Sequence, residues 1–244
     1  MVKWFVLFCC IGVVSAMGEV PWGVELEGGL LSAGRADVRI PGDTGTRFSL
    51  VDDLDASDTA YWRMRLSWRS APRHNWIVSY VPIEVSSSGR LTRDTTYVDT
   101  VFPAETDVDA TYRFDNYRLT YRYLWRETER LLLEVGATLF VRDAKVTLRS
   151  DTQKDSDSDL GLVPLVSFAV SWQLFPQISL LVDGDALAAT QGRALDVFGG
   201  VHYQPRDNLS LGAGYRILEG GADNDNVYTF ALFHHAALQA ILRF

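Results

Sequence analysis

Beyond residue 20 the chain alternates apolar and polar residues with a period of two, over one segment after another, and shows almost no helical periodicity. The clearest segment is Tyr61–Arg69, where Trp62, Met64, Leu66 and Trp68 share one face and Arg63, Arg65, Ser67 and Arg69 the other. Tyr117, Leu119, Tyr121, Tyr123 and Trp125 likewise oppose Arg118, Thr120 and Arg122. Leu131, Leu133, Val135, Leu139 and Val141 oppose Glu134, Thr138 and Arg142. Later segments set Ile178, Leu180 and Val182 against Asp183 and Asp185, Leu195 and Val197 against Asp196, and Leu211 and Tyr215 against Arg216. Near the start, Trp22, Val24 and Leu26 oppose Glu25 and Glu27. The pattern predicts about ten strands, at 20–34, 60–70, 75–86, 111–126, 130–149, 160–175, 177–189, 193–204, 208–219 and 226–244, with eight to twelve as the range. The third is the weakest, because Ile77, Val78, Tyr80, Val81, Ile83 and Val85 fall on both parities and Pro82 cannot donate to a ladder.

The connections sort the strands into hairpins. Ala71-Pro72-Arg73-His74, Arg126-Glu127-Thr128-Glu129, Pro176 and Pro205-Arg206-Asp207 read as tight turns, while 35–59, 87–110, 150–159 and 220–225 read as longer polar loops; only 190–192 breaks the rhythm. After residue 17 no apolar run is long enough for a transmembrane helix. A chain with one apolar and one arginine-rich face per strand, joined by turns that alternate short and long, therefore predicts an all-β, closed, antiparallel up-and-down barrel with its apolar face toward lipid. A soluble β-sandwich with one wet face is the other architecture that this alternation allows.

Residues 1–16 combine Lys3, an apolar run from Trp4 to Val14, and Val14-Ser15-Ala16, which predicts a signal peptide cleaved after Ala16 and a mature barrel domain over 17–244. Cys9 and Cys10 lie inside that leader, so the mature chain carries no thiol chemistry. The formal net charge of −8 argues against nucleic acid as a partner.

The last segment places Phe230, Leu232, Ala236, Leu238, Ala240, Leu242 and the terminal Phe244 on one parity, with Gln239 and Arg243 on the other. A final strand of this kind ending in phenylalanine resembles the assembly signal of Gram-negative outer-membrane proteins. The resemblance implies that class of β-barrel, recognition of the terminal strand by the assembly machinery, and outer-membrane lipids and lipopolysaccharide as surroundings. Ten strands match the omptin proteases in number, and lipid A deacylases are comparable in size.

With the apolar faces outward, the lumen receives Glu25, Glu27, Arg63, Arg65, Arg69, Arg118, Arg122, Glu134, Arg142, Asp183, Asp185, Asp196, Arg216 and Arg243. In a barrel this narrow the charges must pair, which predicts a structural ion-pair network filling the lumen, with a narrow polar path for small solutes as the alternative. Trp22, Trp68, Tyr121, Tyr123, Trp125 and Trp172 lie near strand ends and predict an aromatic belt at the headgroup level. Tyr112, Arg113 and Asp115 sit on the long-loop side.

Catalytic candidates are few. An omptin-like site would draw Asp52, Asp53 and Asp55 together with His234 or His235, and no spacing supports that beyond proximity to one rim. The stretch His234-His235-Ala236-Ala237 lacks the serine that a lipid A deacylase needs beside its histidine. The loop from Asp151 to Asp159 lacks the glycine turn and closing glutamate of a calcium loop and reads as a mobile polar segment. No cofactor or metal is expected. The sequence thus favours a barrel with a structural or surface-interaction role over a pore, and a pore over a surface enzyme acting on lipid A or peptides.

Overall fold

In the computed structural model, residues 21–189 and 192–244 are described; the predicted leader lies outside them. Ten long strands form the wall: β1 (Trp22–Arg39), β4 (Thr59–Ala71), β5 (His74–Arg90), β8 (Asp107–Glu127), β9 (Leu131–Arg149), β10 (Lys154–Phe175), β11 (Ile178–Ala189), β12 (Gly192–Arg206), β13 (Leu209–Asp223) and β14 (Tyr228–Arg243). Four short strands belong to the long loops: β2 (Phe48–Ser49), β3 (Asp55–Ala56), β6 (Thr95–Tyr97) and β7 (Thr100–Phe102). Each wall strand pairs antiparallel with its neighbour in sequence, and β14 returns to β1 along Gly23↔Arg243 through Arg39↔Tyr228. The barrel is closed, so no sheet edge is left at the seam. Trp22 and Phe244 finish that seam with reciprocal backbone hydrogen bonds of 3.2 and 3.0 Å.

The outward face carries the alternate apolar residues. Leu26, Leu30, Leu162, Val166 and Leu238 are all exposed, and Leu238 is 68% so. Apolar area on this scale around a complete barrel has no place in water, and it is what a lipid-facing surface requires. Trp22 stacks on Trp68 at the short-turn end, where Trp125 and Trp172 are also exposed and Tyr121 and Tyr123 are half-buried. A second aromatic row, Trp62, Tyr80, Tyr117 and Tyr215, lies nearer the long loops, with Tyr80 and Tyr117 stacked at 4.9 Å.

Two departures from the sequence reading share one cause. Residues 154–159, expected as mobile loop, continue β10 and pair with β9 from Lys154↔Arg149 to Asp159↔Ala144. Asp155, Asp157 and Asp159 alternate with Ser156 and Ser158, so polarity carries no contrast there, and the extended β9 supplies the order. The long connections 35–59 and 87–110 are likewise not open loops. Strand continues into both, and Phe48, Leu50, Leu54, Leu91, Tyr97 and Phe102 pack as a buried cap.

The cap explains the third strand. Below it, Ser79 faces polar lumen; nearer the loops Val81, Ile83 and Val85 point inward and are buried against the cap, so the inward parity of β5 turns apolar there while Val78 and Tyr80 hold the outward parity lower down. Pro82 sits above Tyr80, where the β4–β5 ladder has ended, so its missing N–H costs no wall bond on that side.

Candidate functional site: the lumen

Parity along each strand places the charged side chains inside, and the tilt of the strands decides which of them meet. One tier holds Arg63, Arg118 and Arg216 with Glu27, Asp185 and Asp196. Arg216 donates to Glu27 at 2.7 Å and to Asp196 at 2.6 Å, linking residues far apart in sequence. Asp196 also accepts from Arg63 and from Arg118, each at 2.8 Å, and Arg118 reaches Asp185 at 2.7 Å. Tyr61 and Gln239 donate to the remaining Glu27 lone pairs at 3.0 and 2.5 Å, and Thr138 donates to Asp185 at 2.7 Å.

The second tier lies toward the short turns. Asp183 accepts from Arg122 at 2.5 Å and from Arg65 at 3.0 Å; Arg65 also stands 3.5 Å from Glu25, and Arg122 donates to Ser167 at 2.9 Å. Gly136, the rung partner of Arg122, leaves no Cβ there; one would lie 2.8 Å from the Arg122 Cα and closer still to the Tyr121 carbonyl. Three cations face three anions in the first tier and two face two in the second. Each tier is therefore neutral, which is the condition for burying charge at tolerable cost.

Four of the fourteen inward residues stand apart from these tiers. Arg142 is higher, on a rung with Asn116 and Gly161, and pairs with Asp159. Arg69, Glu134 and Arg243 line a vestibule of about 240 Å³ that opens at the short-turn end, where Arg243 donates to Ser210 at 2.9 Å. A network spanning all fourteen is not what forms, because the strands are long enough to separate them by height.

Sequence reasoning missed the non-ionic partners, Tyr61, Thr138, Ser167 and Gln239. Their inward parity was the available signal. His235, considered in the sequence only for an omptin-like grouping, is fully buried edge-on against Tyr61 with ring centroids 4.5 Å apart. His234 points outward and bonds Tyr215 at 2.5 Å. Asp53 caps the Ser49 backbone N–H at 2.8 Å, and Asp52 stands 3.5 Å from the Ser49 hydroxyl, so the acids and histidines of the omptin-like grouping are not brought together. Among the described residues no His, Cys, Asp and Glu cluster suits a metal ion.

Above the membrane the cap is tied to the wall by Asp37, which accepts from Arg35 at 2.6 Å and Arg47 at 2.7 Å. Burial alone would raise this carboxyl; the two guanidinium groups outweigh it and hold it below its usual range. Tyr97 anchors the second loop by donating to the Val146 carbonyl at 2.9 Å, and burial pushes its hydroxyl pKa up. Asp37→Asn is expected to free the first loop, raising trypsin cleavage at Arg47 about fivefold for roughly 1 kcal/mol lost from ion pairs whose arginines are part-exposed, with the barrel intact. Because folding depresses the Asp37 pKa, the anchor is complete above 3.8 and fades only as pH falls toward the lower folded value. Equal cleavage rates in both proteins would show that the apolar cap holds the loop unaided.

No family model and no curated protein matches the sequence. Among solved structures, the outer-membrane protease OmpT of Escherichia coli superposes with a TM-score of 0.60 at 10% identity, over 92% of this chain and 97% of that one. The chain folds as a Gram-negative outer-membrane β-barrel. An outer-membrane channel of Pseudomonas putida F1 (TM-score 0.45, 8% identity, 92% and 96% covered) and the attachment invasion locus protein of Yersinia pestis (0.38, 12%, 92% and 99%) are more distant in shape. Identities this low speak for the fold alone. The closed barrel and its apolar belt together place the protein in the outer membrane.

Proposed function

We propose that this protein is a closed outer-membrane scaffold that acts through its extracellular half, while its lumen is a seal and not a path. The observation that carries the reading is the charge balance of the two tiers, in which Arg63, Arg118 and Arg216 against Glu27, Asp185 and Asp196 are almost fully buried and hydrogen-bonded across the barrel. A conducting pore keeps mobile, hydrated charge along its axis, whereas these side chains answer one another. Delivery follows cleavage after Ala16, insertion uses the assembly machinery acting on the strand that ends in Phe244, and lipopolysaccharide surrounds the extracellular rim.

Purified protein reconstituted in a planar bilayer is expected to be electrically silent. Stable unitary steps that scale with salt would overturn the seal and establish the narrow polar pore. The enzymatic alternative, acting on lipid A or peptides, predicts an altered lipid A profile or cleaved peptide on expression, and the dispersal of the histidines and loop aspartates supports neither.

A further inference from the structure

Above the ion-pair tiers the cap fills only part of the lumen. A cavity of about 260 Å³ remains, walled by Phe114, Phe140, Leu165, Leu218 and Phe233. Arg118 forms its floor with a side chain 3% exposed and Arg142 one side, and the buried Nε of each has no hydrogen-bond partner. Unmet buried donors in an apolar chamber call for an acceptor.

The wall beside this chamber is incomplete. The β10–β11 ladder stops at Val166↔Ala186, yet β10 continues to Lys154 paired with β9 and β11 continues to Ala189 paired with β12. Leu165 and Leu187, on the two sides of the parting, both line the cavity. The β4–β5 ladder also ends early, at Met64↔Tyr80, but there β3 takes up the edge of β5 through Asp55↔Ser88 and Ala56↔Ser87. No described strand does the same for β10. Ten residues up β10 from Trp172 cover about 25 Å of bilayer at a tilt of about 40° and end at Leu162. Leu160, Leu162 and Val166 are 74%, 64% and 59% exposed on the outer face, so the parting opens at the outer leaflet and not above it.

We propose that this chamber binds a neutral single-chain amphiphile, entering from the outer leaflet between β10 and β11. Its alkyl body lies against Phe114, Phe140 and Phe233, and its hydroxyl or carbonyl oxygen accepts from the Nε groups of Arg118 and Arg142. A neutral head fits because both cations are already answered, Arg118 by Asp185 and Asp196, Arg142 by Asp159. This inference does not depend on the lumen being sealed, since the chamber lies above the tiers.

The test is photolabelling of the full barrel in phosphatidylcholine vesicles containing diazirine-tagged dodecanol, with the adducts mapped by peptide mass. Adducts are expected on inward residues around Phe114 and Phe140. Untagged dodecanol should suppress them while leaving those on the lipid face. They should vanish in Ala231→Trp and in Ala194→Trp, which fill the chamber from different strands, provided the variants keep the heat-dependent gel shift of a folded barrel. Labelling confined to the lipid face, or inward labelling that untagged dodecanol does not reduce, overturns the site. Inward labelling obtained only when the probe is added from water to protein in amphipol overturns the membrane route, and stronger inward labelling by tagged dodecanoate overturns the neutral head group.

Discussion

Arg216→Met is expected to cost the barrel about 3–5 kcal/mol, the loss that follows when one partner is removed from a buried charge cluster. Arg216 is 1% exposed and, among the described residues, is the only side chain that bonds both Glu27 and Asp196 closely, at 2.7 and 2.6 Å. Without it the first tier keeps two cations against three carboxylates in a space sealed from solvent. Arg63, at 3.6 Å from Glu27, is placed to answer it only weakly. The measurement is the urea midpoint of the heat-modifiable band after folding into lipid. Adding Glu27→Gln and Asp185→Asn in turn separates charge from shape: either should recover part of the loss by restoring neutrality. A midpoint unchanged in Arg216→Met would mean that the tier is open to water and that the seal is not where the ion pairs are.

The same tier marks the limit of what the sequence holds. That Arg63 and Arg65 point inward follows from Trp62, Met64 and Leu66 on the opposite parity, and the short-turn ends of the strands follow from the same alternation. Which carboxylate meets which arginine does not follow from parity. Arg216 and Glu27 lie on β13 and β1, two strands on either side of β14, and their meeting depends on the stagger accumulated around the closed barrel. The capped half was illegible for a different reason. Where the cap fills the lumen, inward positions such as Val81, Ile83 and Phe114 become apolar, so the contrast between faces on which the reading relied disappears. The cap itself is built from strands of two and three residues, too short for any period to register. The parting of β10 from β11 went unread because β10 is polar on both faces over 154–159, which leaves Pro164, unable to donate to a ladder, as its mark in the sequence.

Leu238→Arg is expected to cost about 2–4 kcal/mol, and Leu160→Arg about 1 kcal/mol or less, although Leu238 at 68% exposure and Leu160 at 74% are equally accessible by geometry. Leu238 lies six residues up from Phe244 at the short-turn rim, about 15 Å into the bilayer at a tilt of about 40°, and is paired with Gly28 and Ala213 at the depth where a guanidinium finds neither water nor phosphate. Leu160 lies on the part of β10 beyond the end of the β11 ladder, close enough to the headgroups for an arginine to reach them. Urea midpoints in lipid vesicles measure both. In water the two substitutions would be interchangeable, because a well-exposed leucine on a soluble sheet loses little when it becomes charged. Near-equal small effects would therefore return the chain to the soluble sandwich that its alternation also permits. A large difference between two equally exposed leucines has only the depth of the bilayer as its cause.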